Sequence, residues 1–378
     1  MKRRENTGKT EEKKIKRERE KGRRFPAGGP LVRAGGGLFL AAALLQAAAR
    51  LTDGFGQWYA ITIYPFFTGT LGRFSALFPF SLAEAGLYAL LIAVVWCAIR
   101  WRKRPARLLR AAWFAAAFFF FLYTACCGVN YYRRPFSSYL DWETGTYGKE
   151  DLEELLAWLT GQVNASYTET GTRGAGETGR AGVEAMRRLA ETYPWMAGYY
   201  PRPKPVACSA LLSVQQLCGV YSPFTVEANY NAQMTAYNIP HTICHELSHL
   251  RGFMREDEAN LIGFLACVGS ENAEYRYSGY LMGWIYAGNA LAAADWETYS
   301  RLRAALRPEA DADLRENTAF WARFDSPVSE AAEAVNDTYL KANSQEEGIL
   351  AYDRAVNLML AWFFSEDGPR PRAEEGRP

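Results

Sequence analysis

The stretch HTICHELSHLRGFMREDEAN, His241–Asn260, holds all three histidines of a 378-residue chain, at positions 241, 245 and 249. Pro240 suits the first turn of a helix, where its missing N–H costs nothing, and Gly252 suits the turn that ends it. A helix between them stacks His245 and His249 one turn apart on one face. Two imidazoles so placed can reach one metal ion at about 2.0–2.1 Å. Glu246 is too close to His245 along the chain to be a further ligand, but it is well placed to touch a metal-bound water. The pattern is H-E-x-x-H, two zinc ligands with a general base built in. His241 cannot complete the ligand set. It precedes His249 by eight residues, about 12 Å along a helix axis, so it is expected at the helix start, beside the site.

The third ligand is expected from REDEAN, residues 255–260. A second helix starting near residue 256 would run back beside the first. At ~100° per residue, Glu256, Ala259, Asn260, Gly263 and Cys267 share a face, and most are small, as tight packing requires. Glu256 is therefore the expected third ligand. Asn260, one turn later, could accept the other ring N–H of a zinc-bound histidine and fix its tautomer. Glu258 points roughly the other way and is the alternative ligand.

Outward from this centre the chain is mixed. Downstream, helical spacing covers 256–268, 278–293, 296–306, 311–323, 327–343 and 346–364. Upstream, Leu152, Leu155, Leu156 and Leu159 mark a helix over 149–163. A Gly/Thr loop follows at 168–180, then a helix at 181–192. GVYSPFTVEANYNAQ reads as one or two short strands with a turn at Ser222–Pro223. Cys208 and Cys218 could form a disulfide or remain two buried thiols.

The first third is of another kind. MKRRENTGKTEEKKIKREREKGRRF is too polar to pack and reads as a disordered basic tail. Three apolar blocks follow, Ala34–Leu51, Phe78–Trp101 and Ala111–Tyr132, each fit to cross a membrane. Lys and Arg crowd the head and the turn RWRKRPARLLR, while the loop between the first two blocks holds only Arg73. The excess of cations marks the cytoplasmic side. The tail is thus inside, and everything from about residue 133 is outside. A net charge of +2 gives no general attraction to nucleic acid. The aromatics of the first loop suit an interfacial segment, and Glu84 is read as interfacial too. Three spans without buried charge pairs offer little pathway for a transporter.

HELSH followed by EDEAN resembles the zincin peptidases of the glutamate-ligand type, which carry H-E-x-x-H and then E-x-x-[A/S]-[D/N] on a following helix. With YSPFTVEANYN and the late AYDRAVNLMLAWF, the chain also resembles the bacterial membrane proteins grouped as domain of unknown function 3810. That resemblance covers most of residues 35–365. Two departures stand out: the gap from His249 to Glu256 is shorter than in many zincins, and the last motif position is Asn rather than Asp.

Together these readings give a mainly α chain in four parts. Residues 1–33 are the basic tail and 34–132 the membrane region with three transmembrane helices. Residues 133–365 form a mostly helical, zincin-like extracytoplasmic domain with a small sheet, and 366–378 a disordered tail. The expected activity is that of a membrane-anchored zinc metalloendopeptidase. Zn2+ would be held by His245, His249 and Glu256, Glu246 would be the catalytic base, and Asn260 would support the ligands. The expected partners are a peptide or protein substrate and the lipid bilayer, with no nucleic acid. The alternative is a catalytically inactive zinc-binding membrane sensor or structural protein. By analogy with zincins, Val226–Ala232 would be either the edge strand that pairs with substrate or a strand closing the core. Tyr275, Arg276, Tyr277 and Tyr280 are candidates to stabilise an oxyanion.

Overall fold

A computed structural model describes residues 29–140, 142, 147–343 and 351–371. Most of the basic tail, the first residues of the helix expected at 346–364 and most of the C-terminal tail lie outside the described residues. The architecture is mainly helical with one small mixed sheet.

Among the described residues, three helices are long and apolar enough to cross a membrane: α1 (Pro30–Leu51), α4 (Leu82–Arg100) and α5 (Pro105–Cys126). Pro30 and Pro105 each sit in a first turn, where a proline replaces an N–H that has no helical partner. Helices α1 and α5 pack together. Gly35 lies against Trp113, and the Phe39 ring contacts Trp113 and Phe120 at centroid distances of 5.8 and 5.6 Å. Helix α4 stands apart, with no buried residue along its length.

The loop between the first two apolar blocks folds into α2 (Phe55–Thr62) and α3 (Tyr64–Ser75). These helices join the core of the larger domain: Tyr59, Tyr64, Thr68 and Ser75 are buried. The Tyr59 hydroxyl donates to the Ala125 carbonyl at 2.8 Å and that of Tyr64 to the Leu250 carbonyl at 3.1 Å. Beyond α5, a 3-10 turn at Gly128–Tyr132 is buried in the same core.

The larger domain begins with α6 (Lys149–Ser166) and α7 (Ala175–Thr192). Leu152, Leu155, Leu156, Leu159 and Val163 of α6 are buried, each contributing about 1.5–3 kcal/mol. Helix α7 starts six residues earlier than glycine content suggests, for a packing reason. A Cβ at Gly179, before the expected start, would collide with the Arg202 side chain and the Pro203 carbonyl, and one at Gly182 with Ile243, so the glycines let α7 pack closely on the Arg202–Pro203 segment and the histidine helix.

The sheet has the order β1 (Lys204–Val206), β3 (Glu227–Asn231), β2 (Gly219–Ser222). Strand β1 runs parallel to β3, with Lys204 opposite Asn229, and β2 runs antiparallel, with Val220 opposite Asn229. The strand expected at Val226–Ala232 is therefore the central one, paired on both sides. It cannot take up a substrate strand; β2 is the edge nearest the histidines. Cys208 and Cys218 are free thiols. A short helix, α8 (Ala210–Val214), lies between β1 and β2.

The remainder is helical: α9 (Asn238–Leu250), α10 (Glu256–Val268), α11 (Ala273–Ala294), α12 (Trp296–Ala304), α13 (Pro308–Ala322), α14 (Pro327–Ala342) and α15 (Ala351–Phe364). Helices α9, α10 and α11 pack against one another and α15 closes over α10, with Phe264 against Trp362 at 5.2 Å.

Candidate metal centre

Helix α9 presents His245 and His249 on one face, and the turn through Gly252, at φ +90°, returns the chain so that α10 begins at Glu256. This positive φ is one that glycine adopts without strain. The histidine Nε2 atoms are 3.1 Å apart, with the rings nearly perpendicular. The Glu256 carboxylate meets His245 Nε2 at 3.2 Å and His249 Nε2 at 3.5 Å. Four ligands at 2.0–2.1 Å around zinc stand about 3.3 Å from one another. The two carboxylate distances end on different oxygens, Oε2 and Oε1, and one ligand atom from each of the three residues lies within 4.8 Å of the others, close enough to share one metal ion. His245 and His249 are mostly buried, whereas Glu256 is one-third exposed, so the centre opens to solvent on the Glu256 side.

The other ring nitrogens fix the tautomers. His245 Nδ1 lies 2.8 Å from Asn260 Oδ1, and His249 Nδ1 lies 2.8 Å from the Phe253 carbonyl. Both oxygens only accept, so both Nδ1 atoms carry the proton. With neutral rings, two Nε2 lone pairs would then face each other, an arrangement that requires a cation between them. Without a metal that cation is a proton. Burial opposes a charge on His249, but Glu256 outweighs it and raises the pKa to about 9. Burial alone would raise Glu256; His249, followed by His245, holds it well below the usual carboxylate range.

Glu246 lies beside this cluster and is 5% exposed. Burial pushes its pKa up to about 6, against the pull of His245 and His249, and the Tyr221 backbone N–H donates to its carboxylate. Gly219 leaves room for it: a Cβ there would sit 2.5 Å from Glu246 Oε1. Its second oxygen, Oε2, is buried with no partner among the described residues. A buried acceptor left unpaired costs about 1–3 kcal/mol, so the centre has one polar place that the chain does not fill.

The structure thus brings together His245, His249, Glu256, Glu246 and Asn260. Glu258, the alternative ligand, is elsewhere. It is buried and accepts the backbone N–H groups of Phe136 and Ser137, and burial followed by Asp257 raises its pKa to about 8. His241 is buried beside the centre, with its Nε2 3.3 Å from the Asn260 carbonyl. Burial and then His245 push its pKa down to about 3, so it is a neutral spacer between α9 and α10.

The oxyanion candidates are all engaged away from the centre. Tyr275 donates to the Thr178 carbonyl, Tyr277 to Asp313, and Arg276 to the Ser270 carbonyl, while Tyr280 packs on Trp158. Tyr286 is the α11 tyrosine at the site. Its hydroxyl donates to Asn260 Oδ1 at 3.2 Å and its ring stacks edge-on to His241 at 5.7 Å. No local motif announces it, because helix packing alone carries it there. Tyr221, with its ring 6.5 Å from that of His249, is brought by the sheet in the same way.

A family model described as Protein of unknown function (DUF3810) matches residues 59–360, a span that takes in α3 to α14, the sheet and the whole of this centre. The chain belongs to the DUF3810 family. No curated protein and no solved structure matches it. The match begins within α2, so α1 lies outside it, while α3, α4, α5, the sheet and the His/Glu cluster of this DUF3810 protein lie inside. The matched unit therefore joins two of the candidate membrane helices to the larger domain.

Proposed function

We propose that this DUF3810 protein is a membrane-anchored, zinc-dependent peptidase of the zincin type, with its centre on the extracytoplasmic side. The observation that carries this reading is the cluster of His245 Nε2, His249 Nε2 and the Glu256 carboxylate, within reach of one metal ion, with the unpartnered Glu246 Oε2 beside it. The cationic residues Arg100, Arg102, Lys103, Arg104 and Arg107 lie at the ends of α4 and α5 remote from the larger domain. Their clustering supports the reading in which that end is cytoplasmic and the domain lies outside.

Zinc, when bound, supplies a Lewis acid that lowers the pKa of water toward ~7 and polarises the scissile carbonyl. The chain's own groups do the rest. Asn260 and the Phe253 carbonyl hold the imidazoles with Nε2 directed at the shared site. Glu246, with a pKa near 6, is mostly ionised at neutral pH and takes a proton from the attacking water. Oxygen adds to the peptide carbonyl carbon, the C–N bond breaks, and Glu246 returns the proton to the leaving amine. The Tyr221 N–H aims the carboxylate, and Gly219 keeps space open beside it.

The test uses the full chain in detergent micelles. Elemental analysis should find about one zinc per chain in the parent and none in the His245→Ala/His249→Ala double variant. Glu246→Gln should keep the zinc and lose roughly 10²–10⁴-fold in hydrolysis of a mixed peptide pool. A folded parent that takes up no zinc when zinc is supplied refutes the proposal, and so does a Glu246→Gln variant of full activity.

A further inference from the structure

The β2–β3 hairpin runs between the centre and the membrane helices. At its upper end, Gly219 and the Tyr221 N–H lie against Glu246. At its lower end, the Phe224 ring packs edge-on against Phe119 at 5.3 Å. Phe119 precedes the end of α5 by seven residues, about 10 Å along the helix axis. Phe224 thus reaches the flank of a candidate membrane span, and 42% of it stays exposed there. An exposed phenylalanine held beside a candidate span suits contact with lipid.

Two further anchors hold the hairpin in this position. Tyr221 donates to the Cys126 carbonyl at the end of α5 and pairs with the Tyr64 hydroxyl at 2.8 Å. Glu227, the first residue of β3, accepts the Leu82 and Ala83 N–H groups at 3.1 and 2.8 Å, fastening the outer end of α4. The hairpin therefore sits at the outer mouth between α5 and α4, and α4, unburied throughout, leaves that mouth open to the bilayer.

Strand β2 is paired on one side only. The Asn231 N–H donates to the Cys218 carbonyl, which sets the ladder so that the backbone groups of Gly219 and Tyr221 point away from β3. On that side the Tyr221 N–H is taken by the Glu246 carboxylate, so a bound segment would meet the Gly219 backbone and the Tyr221 carbonyl on its way to the general base, with Val220 exposed beside them.

We infer that the substrate is the membrane-proximal segment of a membrane-anchored polypeptide, which enters between α4 and α5 and lies along β2. This inference rests on the peptidase reading for its chemistry, but not for the route. A soluble peptide has no need of a strand rooted in lipid.

The test places the full chain in phosphatidylethanolamine/phosphatidylglycerol vesicles with single-span reporter polypeptides whose juxtamembrane segment is randomised. The same randomised segment, free of its span, is supplied in parallel. Confinement to one membrane should make cleavage of the anchored pool faster than that of the free pool on the order of a hundredfold, with cuts clustered next to the span. In the Glu246→Gln background, benzoylphenylalanine at position 224 should crosslink to lipid, and at position 220 to the anchored reporter. Equal cleavage of the two pools, with no reporter adduct at 220, overturns the inference and leaves the peptidase standing. A reporter adduct without cleavage by zinc-loaded parent protein supports the route and refutes the peptidase. Lipid adducts alone at 220 overturn the polypeptide substrate in favour of a lipid one.

Discussion

Replacing Asn260 with alanine isolates the support given to one ligand. In the structure Asn260 Oδ1 accepts from His245 Nδ1 at 2.8 Å and from the Tyr286 hydroxyl at 3.2 Å. Losing the first bond leaves His245 free to rotate and to put its proton on Nε2, the atom that must bind zinc. Losing the second destabilises the metal-free and loaded proteins alike, so it lowers the melting temperature without entering the zinc Kd. His249 keeps its own acceptor, the Phe253 backbone carbonyl, whatever stands at position 260. One ligand of three is loosened, so zinc affinity should fall by about 10–100-fold, or ~1.4–2.7 kcal/mol, and not vanish. Asn260→Asp should do the reverse. A charged acceptor makes a hydrogen bond roughly twice as strong as a neutral one and raises the basicity of the ring. The assay is a chelator competition on the full chain, with both variants beside the parent. An alanine variant whose Kd matches the parent's, or an aspartate variant that binds more weakly than alanine, would refute the assignment of Asn260 as the group that sets the His245 tautomer.

Other expected outcomes concern the neighbouring groups. Glu256→Ala should strip zinc by elemental analysis, whereas Glu258→Gln should retain it. Because the Glu258 pKa is raised to about 8, the folded state holds its proton more tightly than the unfolded one, and stability falls as pH rises from about 4.5 to 8. Glu258→Gln should remove that loss, and a denaturation series across this window would expose the error if it does not. The His249 pKa is raised to about 9. The His249–Glu256 pair therefore stabilises the metal-free fold fully between about pH 4.5 and 6.5, weakens below that as Glu256 takes up its proton, and fades as pH rises through 9. Zinc must displace the His249 proton, so calorimetry at pH 7.5 in buffers of different ionisation heat should count close to one proton released; no buffer dependence would mean that His249 is already neutral. Gly219→Val should keep zinc yet lose at least about tenfold in activity by displacing Glu246, with full activity contradicting the packing of β2 on that carboxylate.

Sequence periodicity reaches as far as single helices do. The spacing of His245 and His249, the turn at Gly252 and the phase of Glu256 and Asn260 on the next helix are local, and the structure brings those residues together. The three apolar blocks are legible for the same reason, although the helices begin where Pro30, Ser81 and Pro105 set them. What crosses the chain is not legible. Tyr286 reaches Asn260 only because α11 packs beside α10, and the early glycines of α7 read as a loop until Arg202 and Pro203 are seen to occupy the space a Cβ at Gly179 would need.

The central strand is the most informative case. Of the two roles open to Val226–Ala232, an edge strand that pairs with substrate or a strand closing the core, the structure gives the second: β3 is paired on both sides and every residue from Glu227 to Asn231 is buried. A buried carboxylate is tolerable only when paired and hydrogen-bonded. Glu227 meets this with the Lys204 ammonium, which also donates to the Ser75 carbonyl, and with the N–H groups of Leu82 and Ala83. In return Glu84, near the start of α4, accepts the N–H groups of Ala207 and Cys208. Two carboxylates thus cross-tie the first turn of α4 to the strands beside Glu246. Neither can be replaced by an apolar residue without orphaning two N–H groups. The polar first residue of this buried strand is what attaches a candidate membrane helix to the sheet next to the general base.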